Sequence, residues 1–220
     1  MRHREEPATD LLELEKELWK REKVRCIAGI DEVGRGCLFG DVVAAAVILP
    51  VGLVLEGVDD SKKLSAAKRE ELYGRIVEHA VSYGIAAVSS EVVDRINIKQ
   101  AARLAMKQAL QQLSPEPDYL LIDAEKVDSP LPQLAIIHGD ARSQSIAAAS
   151  ILAKVTRDRM CVGWDRQYPE YGIAVHKGYA TRFHREQLKA LGPTPLHRMS
   201  FLKKLYAEME AEQQEFQLDL

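Results

Sequence analysis

The sequence predicts an α/β fold in which a mixed central sheet is flanked by helices. Short apolar segments alternate along the chain with amphipathic ones, as in layered α/β domains. The 220 residues are 46% hydrophobic and 29% charged, which are ordinary values for a globular protein, and this length suits one large domain. The longest apolar run, Val42 to Leu49, has eight residues. It is too short to cross a membrane, so no membrane partner is expected.

Five segments are predicted to be strands because they are short, apolar and bounded by turn residues. They are residues 26–31, 41–50, 82–89, 118–123 and 133–140. The second is apolar almost throughout, which is typical of a strand buried on both faces. The glycine-rich segment between the first two strands is predicted to be a turn.

Four segments are predicted to be helices. Residues 10–23 have Asp10 and Glu13 at capping-box spacing, and this helix packs on the domain or projects as an interaction arm. Ser65 caps a second helix that ends near His79. The third and fourth cover residues 97–113, which stop at a Ser-Pro-Glu-Pro segment, and residues 145–160.

The sequence predicts a main domain with an extension at each end. We predict a helical extension over residues 1–25, a main domain over 26–204 that includes a C-terminal helical region, and an acidic tail over 205–220. Residues 142–204 carry twelve basic and four acidic side chains, which suits polyanion binding, although solvated helix faces would give the same count. The three cysteines have no CxxC spacing. This pattern favours a reduced, cytoplasmic protein without structural zinc.

Four carboxylates lie where apolar strands give way to turns. They are Asp31, Glu32, Asp123 and Asp140. Each alone is typical of a turn or helix cap. If the strand ends converge, however, four negative charges need protonation or divalent cations, and carboxylate oxygens suit Mg²⁺ or Mn²⁺.

The glycines Gly34, Gly36 and Gly40 form a G-x-G-x-x-x-G pattern, one residue longer than a dinucleotide fingerprint. A nucleotide-binding oxidoreductase would need a helix directly after this pattern, but a β-like segment follows. We therefore favour a loop whose backbone approaches a phosphate or sugar, with a plain hairpin turn as the alternative.

Two further segments suit nucleic-acid contact. Ser143, Ser150, Lys154 and Arg157 share one stripe of a predicted helix, which could hold backbone phosphates or simply be a solvated face. Residues 176–198 mix basic side chains with aromatic ones, as nucleic-acid-binding segments do. A nucleic-acid-binding module whose acids are only turn caps therefore stays open, and for that module metal would be irrelevant.

In these motifs the chain resembles the bacterial type 2 ribonucleases H, the ribonuclease HII family. The matching segments are GIDEVGRG (29–36), DDSKKLS (59–65), LLID (120–123), GDARSQSIAAASILAKVTRD (139–158), HKGYATRFH (176–184) and GPTPLHRMSF (192–201). In order and spacing they extend over roughly residues 26–201. The resemblance implies a ribonuclease H-like fold with a C-terminal helical extension, and it makes the main domain the catalytic domain.

The resemblance also implies an activity. The family hydrolyses the RNA strand of RNA–DNA hybrids and nicks 5′ of single ribonucleotides embedded in duplex DNA, a step of ribonucleotide excision repair. Two Mg²⁺ or Mn²⁺ ions would assist the hydrolysis. The cleaved strand would carry a 3′-OH end and a 5′-phosphate end. The expected partners are RNA–DNA hybrid and ribonucleotide-containing duplex DNA, and a monomer is expected.

Residue roles follow from the matched motifs. The resemblance implies that Asp31, Glu32, Asp123 and Asp140 are the metal-binding catalytic carboxylates. It implies a substrate-binding set in which the backbone of the GRG turn meets the 2′-hydroxyl and adjacent phosphates, Tyr179 packs beneath the following deoxyribose, and lysines contact phosphates. With two residues of the helical stripe, this set comprises Gly34, Arg35, Gly36, Tyr179, Lys62, Lys63, Ser143 and Lys154.

The chain departs from the family pattern near the substrate. Cys37 and Asp41 replace prolines that commonly follow the GRG turn, which predicts a more mobile loop and an added negative charge that weakens phosphate binding. Ala180 replaces a common glycine after the tyrosine. The last four residues, Gln217-Leu218-Asp219-Leu220, resemble a peptide that docks on the replication sliding clamp, without its final phenylalanine. A disordered acidic tail is the alternative.

Overall fold

The computed structural model describes residues 10–21, 24–59, 61–203 and 205–207. Its strands are β1 (Ile27–Val33), β2 (Val42–Ile48), β3 (Ser82–Val88), β4 (Tyr119–Asp123) and β5 (Gln133–Ile136). Its helices are α1 (Glu13–Trp19), α2 (Ala66–His79), α3 (Ser90–Ile96), α4 (Ile98–Leu110), α5 (Gln144–Gln167), α6 (Ile173–His176) and α7 (Arg182–Leu191). Short 3₁₀ turns cover Gly139–Ala141 and Pro169–Tyr171.

The five strands form one mixed sheet in the order β3-β2-β1-β4-β5. Strand β1 runs antiparallel to β2 and parallel to β4, and β4 runs parallel to β5. The predicted mixed sheet is therefore confirmed. Each predicted strand is present, but the last ends at Ile136 rather than at residue 140. No helix follows the glycine pattern, because the next element is strand β2. This connection rules out the dinucleotide-binding alternative.

The helices differ from prediction in several places: α1 is shorter than residues 10–23, and the C-terminal helical region forms α6 and α7. A separate helix, α3, precedes the predicted helix over residues 97–113, and Asn97, with φ 66°, lies between α3 and α4. With ψ 160°, this residue lies outside the αL well and its backbone is strained for a residue that has a side chain. Its side chain also accepts a hydrogen bond from Gln100 N at 3.1 Å and so caps α4. Helix α5 continues beyond the predicted end to Gln167.

The chain divides into two compact units. The first comprises residues 1–33, 43–86 and 103–156, and the second comprises 34–42, 87–102 and 157–220. The boundaries predicted after residues 25 and 204 stay a prediction. One apolar cluster of the first unit contains Leu18, Ile27, Leu121, Ile136 and Ile146. A cluster of the second unit contains Leu38, Phe39, Cys161, Tyr171, Ile173, Leu188, Leu202 and Leu205.

Helix α1 packs within the first unit. Its buried residues are Glu15 and Leu18, and Leu18 belongs to the apolar cluster of that unit. The alternative of a projecting interaction arm is therefore wrong for this helix. In the part of the chain that the structure describes, no helix is long and apolar enough to cross a membrane. The predicted clamp-docking residues, 217–220, lie outside the described residues.

Candidate active site

The register of the sheet places two of the predicted acids side by side. Ile30 of β1 is paired with Ile122 of the parallel strand β4. The next residues are Asp31 and Asp123, which therefore occupy equivalent positions on strands about 4.8 Å apart. Glu32 follows directly on β1. Three of the four carboxylates thus lie at the carboxyl ends of two neighbouring parallel strands, where ligands collect in α/β sheets.

The fourth acid, Asp140, comes from the segment after β5. It is buried in the 3₁₀ turn Gly139–Ala141, and His138 in front of that turn adopts a left-handed conformation with φ 55°. Gly139 N donates a hydrogen bond of 2.7 Å to Asp123 Oδ1. The turn that carries Asp140 is therefore attached directly to a second candidate catalytic carboxylate.

Asp31 is the buried acid at the end of β1, and only 5% of its surface is exposed. Burial raises its pKa well above the usual range, and the charges of Glu32 and Asp123 raise it further. Hydrogen bonds from the Ser150 hydroxyl and from Glu32 N, at 2.7 Å, oppose this rise. Glu32 and Asp123 therefore lie close enough to Asp31 to repel its negative charge.

A chain of two buried hydroxyls supports Asp31. Ser61 Oγ lies 3.0 Å from Ser150 Oγ, and Ser150 is hydrogen bonded to Asp31. Because an ionised carboxylate only accepts, Ser150 donates to Asp31 and in turn accepts from Ser61. Ser150, which we assigned to a possible phosphate-binding stripe, thus serves the carboxylate instead.

The other residues of the helical stripe have different surroundings. Ser143 is fully buried, and its hydroxyl donates a hydrogen bond of 2.6 Å to Glu15. The expected phosphate contact for Ser143 is therefore wrong, since a buried hydroxyl cannot reach a substrate. Lys154 is half-buried one helical turn after Ser150, and its substrate contact stays a prediction.

The two lysines of the DDSKKLS segment take separate positions. Lys62 Nζ lies 3.5 Å from Asp140 Oδ2, and the lysine side chain is 80% exposed. Lys63 instead lies 3.3 Å from Asp59, in an exposed pair that adds little to stability. The structure therefore brings Lys62 to the carboxylates and pairs Lys63 with another acid.

The donor chemistry of the four acids fits a hard divalent cation, because they offer only carboxylate oxygens. Such a cation would also relieve the repulsion that raises the pKa of Asp31. Within the described ranges, no three histidine, cysteine, aspartate or glutamate side chains are arranged so that they could already hold a metal ion. The charges of Glu32 and Asp123 thus act on Asp31, but the four acids are not closed around one point.

In the second unit, two buried arginines hold the glycine loop, residues 34–42. Arg157 donates to the carbonyls of Asp41 and Phe39 at 3.0 Å and of Lys177 at 2.8 Å. Arg198 donates to the carbonyls of Gly40 at 2.9 Å and Arg35 at 3.0 Å. These bonds argue against the extra mobility that we expected from the loss of proline at Cys37 and Asp41, and Cys37 itself is fully buried.

Two glycines of this loop have different constraints. Gly34 has φ 93°, and a Cβ there would lie 2.3 Å from Arg157 Nε, so only glycine fits. A Cβ on Gly36 would lie 3.8 Å from Tyr179 Cε1, an ordinary contact. The structure thus places Gly36 beside the ring of Tyr179, which is 47% exposed. Arg35 contributes its carbonyl to the bond with Arg198.

The carboxylate of Asp41 lies near two positively charged arginines. Burial raises the pKa of Asp41, while the charges of Arg198 and Arg157 and a hydrogen bond from Ser90 N lower it. Because two guanidinium groups offset this charge, the expected weakening of phosphate binding by Asp41 is not supported.

Sequence reasoning missed a histidine pair that holds the backbone of Tyr179. Thr194 N donates to His197 Nδ1 at 2.9 Å, so the proton of a neutral His197 is on Nε2. That nitrogen lies 3.1 Å from His184 Nε2, whose Nδ1 then donates to Tyr179 O at 2.9 Å. Burial lowers the pKa of His184 to about 4 and that of His197 to about 3.

The chain is similar in sequence to proteins of one known family. A model of the family described as ribonuclease HII matches residues 28–204. A ribonuclease HII of Alkaliphilus metalliredigens is 60% identical in an alignment of length 200 that covers 88% of this chain and 98% of that protein. A ribonuclease HII of Alkaliphilus oremlandii is 52% identical, with the same shares covered.

Solved structures show the same fold. Ribonuclease H2 from Pyrococcus horikoshii superposes with a TM-score of 0.68 at 25% identity, covering 80% of this chain and 93% of that one. The RNase HII in a PCNA:RNase HII complex from Archaeoglobus fulgidus gives 0.66 at 27% identity, covering 80% and 94%. Bst-RNase HIII in complex with Mn²⁺ gives 0.60 at 18% identity, covering 76% and 63%. The predicted ribonuclease H-like fold is confirmed.

Proposed function

Since the chain belongs to the ribonuclease HII family, and is therefore an endoribonuclease and a hydrolase, we propose that it cuts the RNA strand of RNA–DNA hybrids and nicks duplex DNA 5′ of a single embedded ribonucleotide. The products are 3′-OH and 5′-phosphate ends. The observation that carries this proposal is the buried Asp31, whose pKa is raised by burial and by Glu32 and Asp123 at the ends of two parallel strands.

We assign metal binding to the four acids of the first unit. Asp31, Glu32, Asp123 and Asp140 would hold two divalent cations, Mg²⁺ or Mn²⁺, with their carboxylate oxygens. When bound, such cations lower the pKa of the attacking water and stabilise the charge on the leaving 3′-oxygen. The chain's own part is to orient the oxygens. Ser150 holds Asp31, and Gly139 N holds Asp123.

Cationic side chains of the first unit would then meet the phosphates. Lys62, mostly exposed beside the buried Asp140, can turn toward a phosphate oxygen when a divalent cation takes its place at this carboxylate. Lys154 and Lys63 are assigned to more distant phosphates. Lys63 is expected to contribute less, because it already lies 3.3 Å from Asp59.

Recognition of ribose is assigned to the second unit. The backbone of Gly34, Arg35 and Gly36 would bind the 2′-hydroxyl and adjacent phosphates, and the exposed ring of Tyr179 would pack beneath the following deoxyribose. The support is that buried arginines fix this loop through its carbonyls, which pre-positions the backbone for a ligand. Losing one such hydrogen bond corresponds to about 1–3 kcal/mol, or roughly 5- to 150-fold in rate.

The remaining assignments concern location and partners. We propose that the protein acts as a monomer in the cytoplasm, in ribonucleotide excision repair, and that Gln217–Leu220 contacts the sliding clamp. The archaeal relative seen in complex with PCNA supports the last point. Pull-down of purified clamp with the full chain and with a chain lacking residues 213–220 tests it, and equal binding by both would contradict it.

The activity is tested with 5′-labelled DNA duplexes that carry one ribonucleotide or a continuous RNA stretch. We expect cleavage in Mg²⁺ or Mn²⁺, none after chelation, and a cut on the 5′ side of the single ribonucleotide with a 3′-OH end. Binding without cleavage in either metal would favour the nucleic-acid-binding module instead. Cleavage that survives chelation would contradict the metal assignment.

A further inference from the structure

Helix α1 carries a buried carboxylate that none of the predicted roles uses. Glu15 is 0% exposed, although its place in an amphipathic helix gives no sign of this. Its Oε1 accepts hydrogen bonds from Ser143 Oγ at 2.6 Å and from Ser145 N at 3.0 Å. Both donors are at the beginning of α5. A carboxylate that is fully withdrawn from water needs such partners.

Residues 11–15, at the start of α1, and Ser143 together satisfy the first three backbone N–H groups of α5, which a helix leaves without internal partners. Gln144 N donates to Leu11 O at 2.7 Å, and Ser145 N donates to Glu15. Ile146 N donates to Ser143 Oγ at 3.2 Å. Two of these three acceptors come from the N-terminal segment. The negative charge of Glu15 also suits the positive end of the helix dipole.

This contact lies three residues from the candidate metal ligand Asp140. Ser143 N and Arg142 N donate to Gly139 O at 2.8 and 3.0 Å, and Gly139 N in turn donates to Asp123. An unbroken series of hydrogen bonds therefore leads from Glu15 through Ser143 to the turn that carries Asp140. A displacement of Ser143 would be transmitted to that turn.

The first turn of α5 also has no room to shift toward the sheet. A Cβ on Gly29 would lie 2.0 Å from the carbonyl carbon of Ser145, so the backbones of β1 and α5 are in direct contact there. Gly29 precedes Asp31 by two residues. The start of α5 thus packs against β1 on one side. On the other side, Glu15 accepts a hydrogen bond from a backbone N–H group of α5.

We propose that Glu15 is a positioning residue for Asp140, and that α1 is an integral part of the active site rather than a dispensable extension. This inference rests on the proposed function, because it assumes that Asp140 binds a divalent cation. Glu15 touches neither substrate nor metal. It acts by fixing Ser143 and, through Ser143, the Gly139–Ala141 turn.

The test measures the Mn²⁺ affinity of the folded full-length chain by electron paramagnetic resonance. The midpoint of thermal unfolding of each variant is measured separately. Glu15→Ala is expected to weaken Mn²⁺ binding roughly 10- to 100-fold, as for other changes behind metal ligands. Glu15→Gln keeps the accepting oxygen and is expected to stay within about threefold of wild type on that scale. Ser143→Ala breaks the same link at its other end and provides a second test should Glu15→Ala not fold.

Two control variants separate positioning from general stability. Glu13→Ala removes an exposed acid of the same helix and should change nothing. Leu72→Ala leaves a cavity under the buried face of α2. This variant should lower the midpoint of thermal unfolding and leave the Mn²⁺ affinity unchanged. Wild-type affinity in the folded Glu15→Ala or Ser143→Ala protein overturns the positioning role alone. A wild-type chain that binds no Mn²⁺ overturns the proposed function as well.

Discussion

The histidine pair of the second unit makes the fold sensitive to acid. His184 and His197 are buried, and their pKa values are lowered from 6.5 to about 4 and about 3. Between those values and 6.5, the unfolded chain binds protons at both histidines while the native chain keeps them neutral. The free energy of unfolding therefore falls as the pH drops below 6.5.

The size of the effect follows from the same values. Lowering the pH from 7 to 5 removes about 2 kcal/mol of stability for each histidine, or about 4 kcal/mol if the two act independently. This is a large share of the usual stability of a domain. Asp31 opposes the trend because its pKa is raised, so the native state binds its proton first. The histidine contribution must accordingly be measured as a difference between variants.

Urea unfolding at pH 7, 6 and 5 measures that difference. His184→Asn keeps an N–H group near the Tyr179 carbonyl but cannot titrate. Its free energy of unfolding should therefore fall between pH 7 and 5 by an amount that is at least about 2 kcal/mol smaller than the fall in wild type. His79→Gln changes an exposed histidine of α2 and should follow the wild-type dependence. Equal pH dependence of wild type and His184→Asn would refute the assignment of a buried neutral pair.

Three further outcomes are expected. Gly29→Ala should destabilise the fold by about 3 kcal/mol or more, because its Cβ would lie 2.0 Å from a backbone carbon of α5; urea unfolding checks this, and a change below about 1 kcal/mol would contradict it. Gly36→Val should unfold at the wild-type temperature yet lower kcat/KM more than Arg35→Ala does, since the added methyls block the approach of a ribose; the reverse order would exclude backbone recognition. Tyr179→Ala should reduce kcat/KM more on a single embedded ribonucleotide than on continuous RNA, and equal losses would exclude a role at the RNA-to-DNA junction.

Local sequence pattern was sufficient for the individual strands and for the position of the acids near strand ends, whereas the convergence of those ends depends on a strand order that only the structure shows. Apolar segments that end in turns gave the strands, and because β1 and β4 are parallel, the acids that follow Ile30 and Ile122 had to meet at one edge. The glycine loop was also predictable, since a strand rather than a helix follows Gly40.

The supporting residues could not be predicted, because their partners are distant along the chain. Glu15 and Ser143 are 128 positions apart, and a glutamate in an amphipathic helix ordinarily faces solvent. Ser143 and Ser150 were placed on one helical stripe, but the pattern could not say that this stripe faces buried carboxylates. His184 and His197 lie within the matched motifs, yet neither their contact nor the burial that lowers both pKa values could be read from the sequence.

Asp123→Asn tests most directly whether the carboxylates at the end of β1 and β4 carry out hydrolysis. Cleavage of a duplex with one embedded ribonucleotide is measured at saturating Mn²⁺, together with thermal unfolding of the metal-free protein. We predict that cleavage is lost while the unfolding midpoint is unchanged or raised, because removing the charge of Asp123 relieves its repulsion of Asp31. Near-normal turnover by this variant would contradict the assignment of the active site.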